Sequence, residues 1–330
     1  MKITYLDQNH WIKLSQTAYG RQSEPEMTGV LDALDQAIAT GRVCLPLSYA
    51  HYVETRKQRD ADQRGRLANC MWAWSGGITV APLPVVMRHE IDVALGRCFP
   101  GRVVAEPLQL LGVGIAHAFG APHLHRPMHW PPGAEAIPAP MRAAYEVYCR
   151  EKVELAHLSG RLQGQQFRER GSITDLRWER WFKDSLVSWR GVQSQYTPEA
   201  LDRDIDAMQL ADLDHMLQQA LARHGITRDE FAQLGESCRR EFLEDMPWQR
   251  ADRHFIKQWA KNPHLRPKDS DLIDWSYLSV AVSYCDIVVT EKQMADLFKR
   301  DAFHTRATVR TDLRELSALL TSSPSKINAR

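Results

Sequence analysis

A chain of 330 residues with 44% hydrophobic and 25% charged side chains has the composition of an ordinary globular protein, which excludes a disordered or fibrous polypeptide. Its formal charge of +1 excludes a uniformly basic coat, so partners must be read from local features. The six cysteines, Cys44, Cys70, Cys98, Cys149, Cys238 and Cys285, form no C-x-x-C pair and indicate neither a disulfide framework nor a structural zinc site.

The start "MKITYLDQNH" has no apolar stretch of signal-peptide length, and no run of about 18 apolar residues suggests a membrane span. The expectation is a cytoplasmic protein without a membrane partner. Ile3 to Leu6 reads as a strand that runs through the polar turn Asp7 to Asn9 into helical spacing at Trp11, Ile12 and Leu14. A helix is predicted over Asp32 to Thr40 with Gly41 beyond its end, followed by a short strand in "RVCLPLS". Ser48 can cap one long helix over 48–77 that stops at Gly76 and Gly77, and "ITVAPL" is a third strand. This alternation is the rhythm of a parallel sheet with crossover helices.

Residues 84–264 read differently, as a mostly helical insertion with a Pro-, Gly- and His-rich break over 120–140. Four amphipathic helices are predicted there, beginning at Met141, Asp175, Pro198 and Thr227. Over 265–320 the α/β rhythm returns: a helix in "DSDLIDWSYLSVAVSYC", a buried strand "DIVVT", a helix from Glu291 and an edge strand "ATVRT". Residues 321–330 are a polar tail.

Asp7 stands at the carboxyl end of a strand, where open α/β sheets place ligands, although an Asp there also serves as a helix N-cap. Glu54 lies six residues after Ser48; alone it reads equally as a solvated helical carboxylate. Asp274, Leu278 and Ala281 share one helix face, and a carboxylate in an apolar stripe is unusual. Thr290 ends the following strand and Glu291 comes next. Asp271 can cap the helix or flank Asp274.

Taken together, "ITYLDQN", "LPLSYAHYVE" and Asp274 followed by "VVTE" resemble the acidic motifs of PIN-like nuclease domains. The likeness spans about residues 1–83 and 265–310. It implies a three-layer α/β/α domain with a central parallel sheet, interrupted here by the helical insertion. It also implies an Mg/Mn-dependent nuclease that cuts RNA or DNA. Carried over by position, Asp7, Glu54, Asp274 and Glu291 are the expected catalytic and metal-binding acids, with Asn9 and Thr290 in support. The fourth acid directly follows Thr290, where many members have Asp one residue later; Asp271 and Asp296 are the substitutes. Several carboxylates in one pocket repel one another without a cation, and Mg2+ or Mn2+ suits such oxygen ligands.

Arg56, Lys57 and Arg59 share the Glu54 helix and are candidate contacts to a nucleic-acid backbone. Trp178, Trp181 and Trp189 could stack bases or fill a helical core. His123, His125 and His129 match no usual zinc spacing. RNA is expected ahead of DNA as partner, with a toxin, defence or RNA-processing role; a protein inhibitor or a second copy of the chain are further candidate partners. The alternatives are a haloacid-dehalogenase-like phosphohydrolase, whose motif wants an acid where Asn9 stands, and a non-catalytic scaffold that binds a protein through the insertion.

Overall fold

In the computed structural model, residues 1–21, 24–124, 129–162, 196–262, 264 and 271–321 are described. The chain begins with β1 (Lys2–Leu6), α1 (Gln8–Ala18), α2 (Pro25–Ala39), β2 (Val43–Cys44), α3 (Tyr49–Lys57), α4 (Ala61–Ser75) and β3 (Ile78–Val80). It continues with α5 (Leu83–Cys98), β4 (Leu111–Val113), α6 (Gly114–Ala118), α7 (Ala139–Leu158), α8 (Pro198–Arg223), α9 (Arg228–Ala232) and α10 (Gly235–Glu244). The remaining elements are α11 (Pro247–Lys261), α12 (Asp271–Tyr284), β5 (Ile287–Val289), α13 (Lys292–Lys299), β6 (Thr308–Arg310) and α14 (Arg314–Thr321).

Four strands form a central parallel sheet in the order β2-β1-β5-β6. Side chains alternate across a strand, and β1 uses both faces. Tyr5 and, on β5, Val288 join a core with Phe255, Trp259, Trp275 and Leu278. Leu6, Ile287 and Val289 join the opposite core with Trp11, Leu14, Leu34 and Leu316. Helices therefore cover both faces of the sheet, as buried parallel strands require. Among the described residues, no helix is long and apolar enough to cross a membrane.

The expected helix over 48–77 is two helices. Asp60 accepts hydrogen bonds from the amides of Asp62 and Gln63 at 2.9 and 3.0 Å and starts α4 afresh. Gln58 is extended, and its carbonyl accepts from the Arg64 guanidinium at 2.7 Å. The break thus comes from local capping. The expected helix from Thr227 to Met246 is likewise split into α9 and α10, with Gly235 in the left-handed region at φ +79°.

β4, inside the stretch expected to be helical, pairs antiparallel with β3. It has three residues with Gly in the middle, too short for a period-two signal. β3 also meets Leu47 in a parallel bridge, which carries strand pairing beyond β2. Helix α11 packs on α12 and supplies Ala251, Phe255 and Trp259 to a sheet core. Residues of α5, α8, α9 and α10 build a cluster of their own around Leu213, Leu221 and Phe242. The predicted helix over 175–189, with its three tryptophans, lies outside the described residues, as does His125.

Glu90 joins these regions. It is 2% exposed, and it accepts from the Trp248 amide at 2.8 Å, from the Gln249 amide and from the Tyr284 hydroxyl at 2.5 Å. It therefore caps the start of α11. Burial nevertheless dominates and pushes its carboxyl up to about 7. The unfolded chain loses this proton near 4.5, so Glu90 costs nothing below that pH and destabilises the fold progressively as pH rises toward 7, by about 3 kcal/mol in all. Urea denaturation of wild type and Glu90→Gln across pH 4 to 8 should show the difference between them shifting over that window. A pH-independent difference would refute this assignment.

Candidate functional site

In the sheet order, the chain leaves β1 for β2 on one side and returns to β5 on the other. The crevice beyond the carboxyl ends of β1 and β5 is thus a topological switch point. Asp7 follows β1 there, and Thr290 and Glu291 follow β5.

Asp7 does cap α1, with its Oδ1 accepting from the Gln8 amide at 2.7 Å. Its Oδ2 accepts from the Thr290 hydroxyl at 3.1 Å, and its own amide donates to the Val289 carbonyl at 2.9 Å. Capping and site membership coincide: the cap fixes the carboxylate, and the strand end aims it. Thr290 is fully buried and serves as this support.

Glu54 on α3 and Asp274 on α12 enter the crevice from the helix layer on one face. Asp7, Glu54 and Asp274 each offer a carboxylate oxygen, and these oxygens all lie within 4.8 Å of one another. The Glu54 and Asp274 carboxyl groups are within hydrogen-bond contact of each other. Burial raises the Glu54 pKa and outweighs that hydrogen bond, while Asp7 and Glu291 push it in the same direction. Burial also raises Asp7, opposed by its hydrogen bonds from Thr290 and Gln8 and by His10. Three half-buried acids are held together against their mutual repulsion.

Glu291 lines the same cleft but stands outside that trio. It is exposed at the start of α13, and Asn9 donates a hydrogen bond from Nδ2 to its Oε1. Asn9 thus positions the fourth acid. Asp271 opens α12, and Asp296 lies beyond the cleft residues Gln293 and Met294. The cleft encloses about 290 Å³, with Gln8, Ile12, Lys57 and Gln58 completing its wall.

Of Arg56, Lys57 and Arg59, Lys57 alone lines the cleft. Arg56 is turned into the protein, where its Nε donates to the His157 carbonyl at 3.3 Å and its stem packs on Gly160. Arg59 is exposed in the break between α3 and α4.

Three residues that sequence reasoning passed over organise the acids. His51 is 1% exposed. Its Nδ1 accepts from the Ser48 amide and its Nε2 donates to the Leu6 carbonyl, both at 2.8 Å. It thereby ties the helix of Glu54 to the strand end of Asp7. Gln8 donates from Nε2 to the Thr55 hydroxyl at 3.0 Å, a second tie between the same two elements. His10 donates to the Thr290 carbonyl from behind the site. A histidine three residues after a helix-capping Ser was the available signal for His51.

Compared with known proteins, the chain matches no family model, no curated protein and no solved structure. The functional reading accordingly rests on the chemistry of the cleft.

Proposed function

We propose that the chain is a metal-dependent nuclease of the PIN-like kind, hydrolysing phosphodiester bonds in RNA ahead of DNA. The observation that supports this most is the convergence of Asp7, Glu54 and Asp274 within 4.8 Å. They come from segments far apart in sequence and meet at a switch point of the sheet. A structural role does not account for holding three acids in such a place. The donor set is all oxygen and anionic, which fits a hard divalent cation such as Mg2+ or Mn2+. When bound, such an ion would lower the pKa of a water and polarise the phosphodiester.

The chain's own residues would prepare that chemistry. Asp7 would present the carboxylate that the Gln8 amide and Thr290 hydroxyl have oriented. Glu54 and Asp274 would add their carboxylate oxygens to that of Asp7. Glu291, steered by Asn9, would face the outer side of the cleft, and Lys57 would attract the phosphate backbone. The preference for RNA follows the resemblance of the acidic motifs.

Purified protein should cut at least one of end-labelled single-stranded RNA, tRNA, and single- or double-stranded DNA in manganese, and none of them in EDTA. Asp7→Asn, which keeps an oxygen to cap α1, should lose cleavage by about a hundredfold or more. If nothing is cut and calorimetry detects no manganese binding, the proposal fails.

A further inference from the structure

A second depression adjoins the acidic cleft. Its wall consists of Ile12, Ser15, Gln16, Tyr19 and Arg21 from α1 and the turn after it, and of Gln58, Gln63, Arg66 and Leu67 from the break and α4. Ile12 and Gln58 line both cavities, so the two lie side by side and together make up a surface trough. Its floor is the face of α1 that carries Gln8, Ile12, Ser15 and Tyr19, spaced by three or four residues. From Gln8 to Tyr19 this face runs about 16 Å.

The chemistry changes along the trough. At one end stand the acids with Lys57; at the other stand Arg21 and Arg66, the glutamine amides of residues 16, 58 and 63, and the Tyr19 ring, which is 46% exposed. Arg66 Nη2 is buried without a hydrogen-bond partner, an unmet donor in the wall. Asp60 is held ionised chiefly by the Gln63 and Asp62 amides that it caps, with Arg66 and Arg21 adding to this. The helix break at Gln58 opens this end, because a continuous α3–α4 helix would carry no turn there.

We infer that this depression is a nucleotide subsite, in which Arg21 and Arg66 hold a backbone phosphate and Tyr19 stacks on the base of a single strand whose neighbouring phosphodiester lies at the acids. The inference rests on the nuclease reading for what occupies the acidic end. The subsite itself is read by binding alone. A strand approaching a cluster of carboxylates needs cations on its path, and a guanidinium pair beside an exposed aromatic ring is suited to both phosphate and base. A duplex keeps its bases stacked on one another and offers none to Tyr19.

Fluorescence anisotropy with labelled twelve-residue oligouridylate, oligodeoxythymidylate and a blunt RNA duplex, in EDTA and over a salt series, tests the subsite without turnover. Wild type should bind at least one single strand more tightly than the duplex. Tyr19→Ala should weaken that binding by about tenfold. Arg21→Ala/Arg66→Ala should lower the slope of log affinity against log salt by about 0.7, the value for one neutralised phosphate on a single strand. Arg21→Glu, at an exposed position, serves if the double variant fails to fold. Unchanged affinity and slope in these variants, no binding by wild type, or equal binding of the duplex would each overturn the subsite. A wild type that binds the strand in this way but cuts nothing in manganese would sink the nuclease reading and leave the subsite standing.

Discussion

Asp274→Asn should reduce manganese-dependent cleavage by about a hundred- to a thousandfold while leaving the metal-free protein at least as stable as wild type. Both effects have one origin. Asp274 stands on the otherwise apolar face of α12 with its carboxyl group hydrogen-bonded to Glu54, and Asp7 and Glu291 bear on the same cluster. Removing one acid from a set that repels itself is worth on the order of 1 kcal/mol, so the melting temperature in EDTA should rise by about 2 °C. Manganese at about a hundred times its dissociation constant should stabilise wild type by about 2.7 kcal/mol and the variant by far less. Thermal melts with and without manganese, beside the cleavage assay, give all four numbers. A variant that cuts like wild type, or gains the same stability from manganese, removes Asp274 from the site.

His51→Phe should cost about 3 to 5 kcal/mol of stability, because it leaves the Ser48 amide and the Leu6 carbonyl buried without partners, at about 1 to 3 kcal/mol each, and fits a larger ring into their place. The native geometry needs a neutral ring whose Nδ1 lone pair accepts from Ser48. Burial pushes His51 down to about 4, whereas in the unfolded chain it titrates near 6.5. Between these values the unfolded state binds the extra proton. The stability that neutral His51 contributes is therefore complete above pH 6.5 and is lost as pH falls toward 4, by at most about 3 kcal/mol. His157, also pushed down to about 4 by burial, is present in both proteins and cancels from their difference. Denaturant unfolding at pH 7.5 and at pH 5 should show wild type and variant drawing closer at the lower pH. A gap that is small at pH 7.5, or constant with pH, would contradict this role.

The acids were legible because each sits where a pattern changes. Asp7 and Glu291 follow runs of β-formers and Asp274 interrupts an apolar stripe, so periodicity singled them out, while Glu54 and the grouping of the acids into one site came from the resemblance to PIN-like acidic motifs. Strand polarity anticipates that the turns after the parallel strands, with Asp7 and Glu291, lie at one edge of the sheet; Glu54 and Asp274 reach that edge from helices. Glu291 was the harder residue: its distance from the trio depends on where α13 begins and on the bond from Asn9, neither of which leaves a mark in the composition. The ties made by His51 and Gln8 were hidden for a related reason. His51 meets a main-chain carbonyl 45 residues away, and a backbone partner has no signature in sequence. The break at Gln58 was missed because Asp60 reads as one more charged residue on a helix, and only its capping geometry distinguishes it. β4 was missed through brevity, and the turning of Arg56 into the protein depends on Gly160, about a hundred residues on.

The position of β1 between β2 and β5 also sets an order of events during synthesis. β2 can join β1 as soon as some forty-four residues are available. The other edge of β1 waits for Ile287–Val289, and the same wait applies to the Asp7 amide, which donates to the Val289 carbonyl, and to its carboxylate, which accepts from Thr290. Until then the edge of β1 is open and Asp7 has neither its support nor Asp274 as neighbour. The grouping of Asp7 with Thr290 and Asp274 is therefore absent from a growing chain until the segment from Asp274 to Glu291 has emerged, and it waits on the slow closure of that long-range contact.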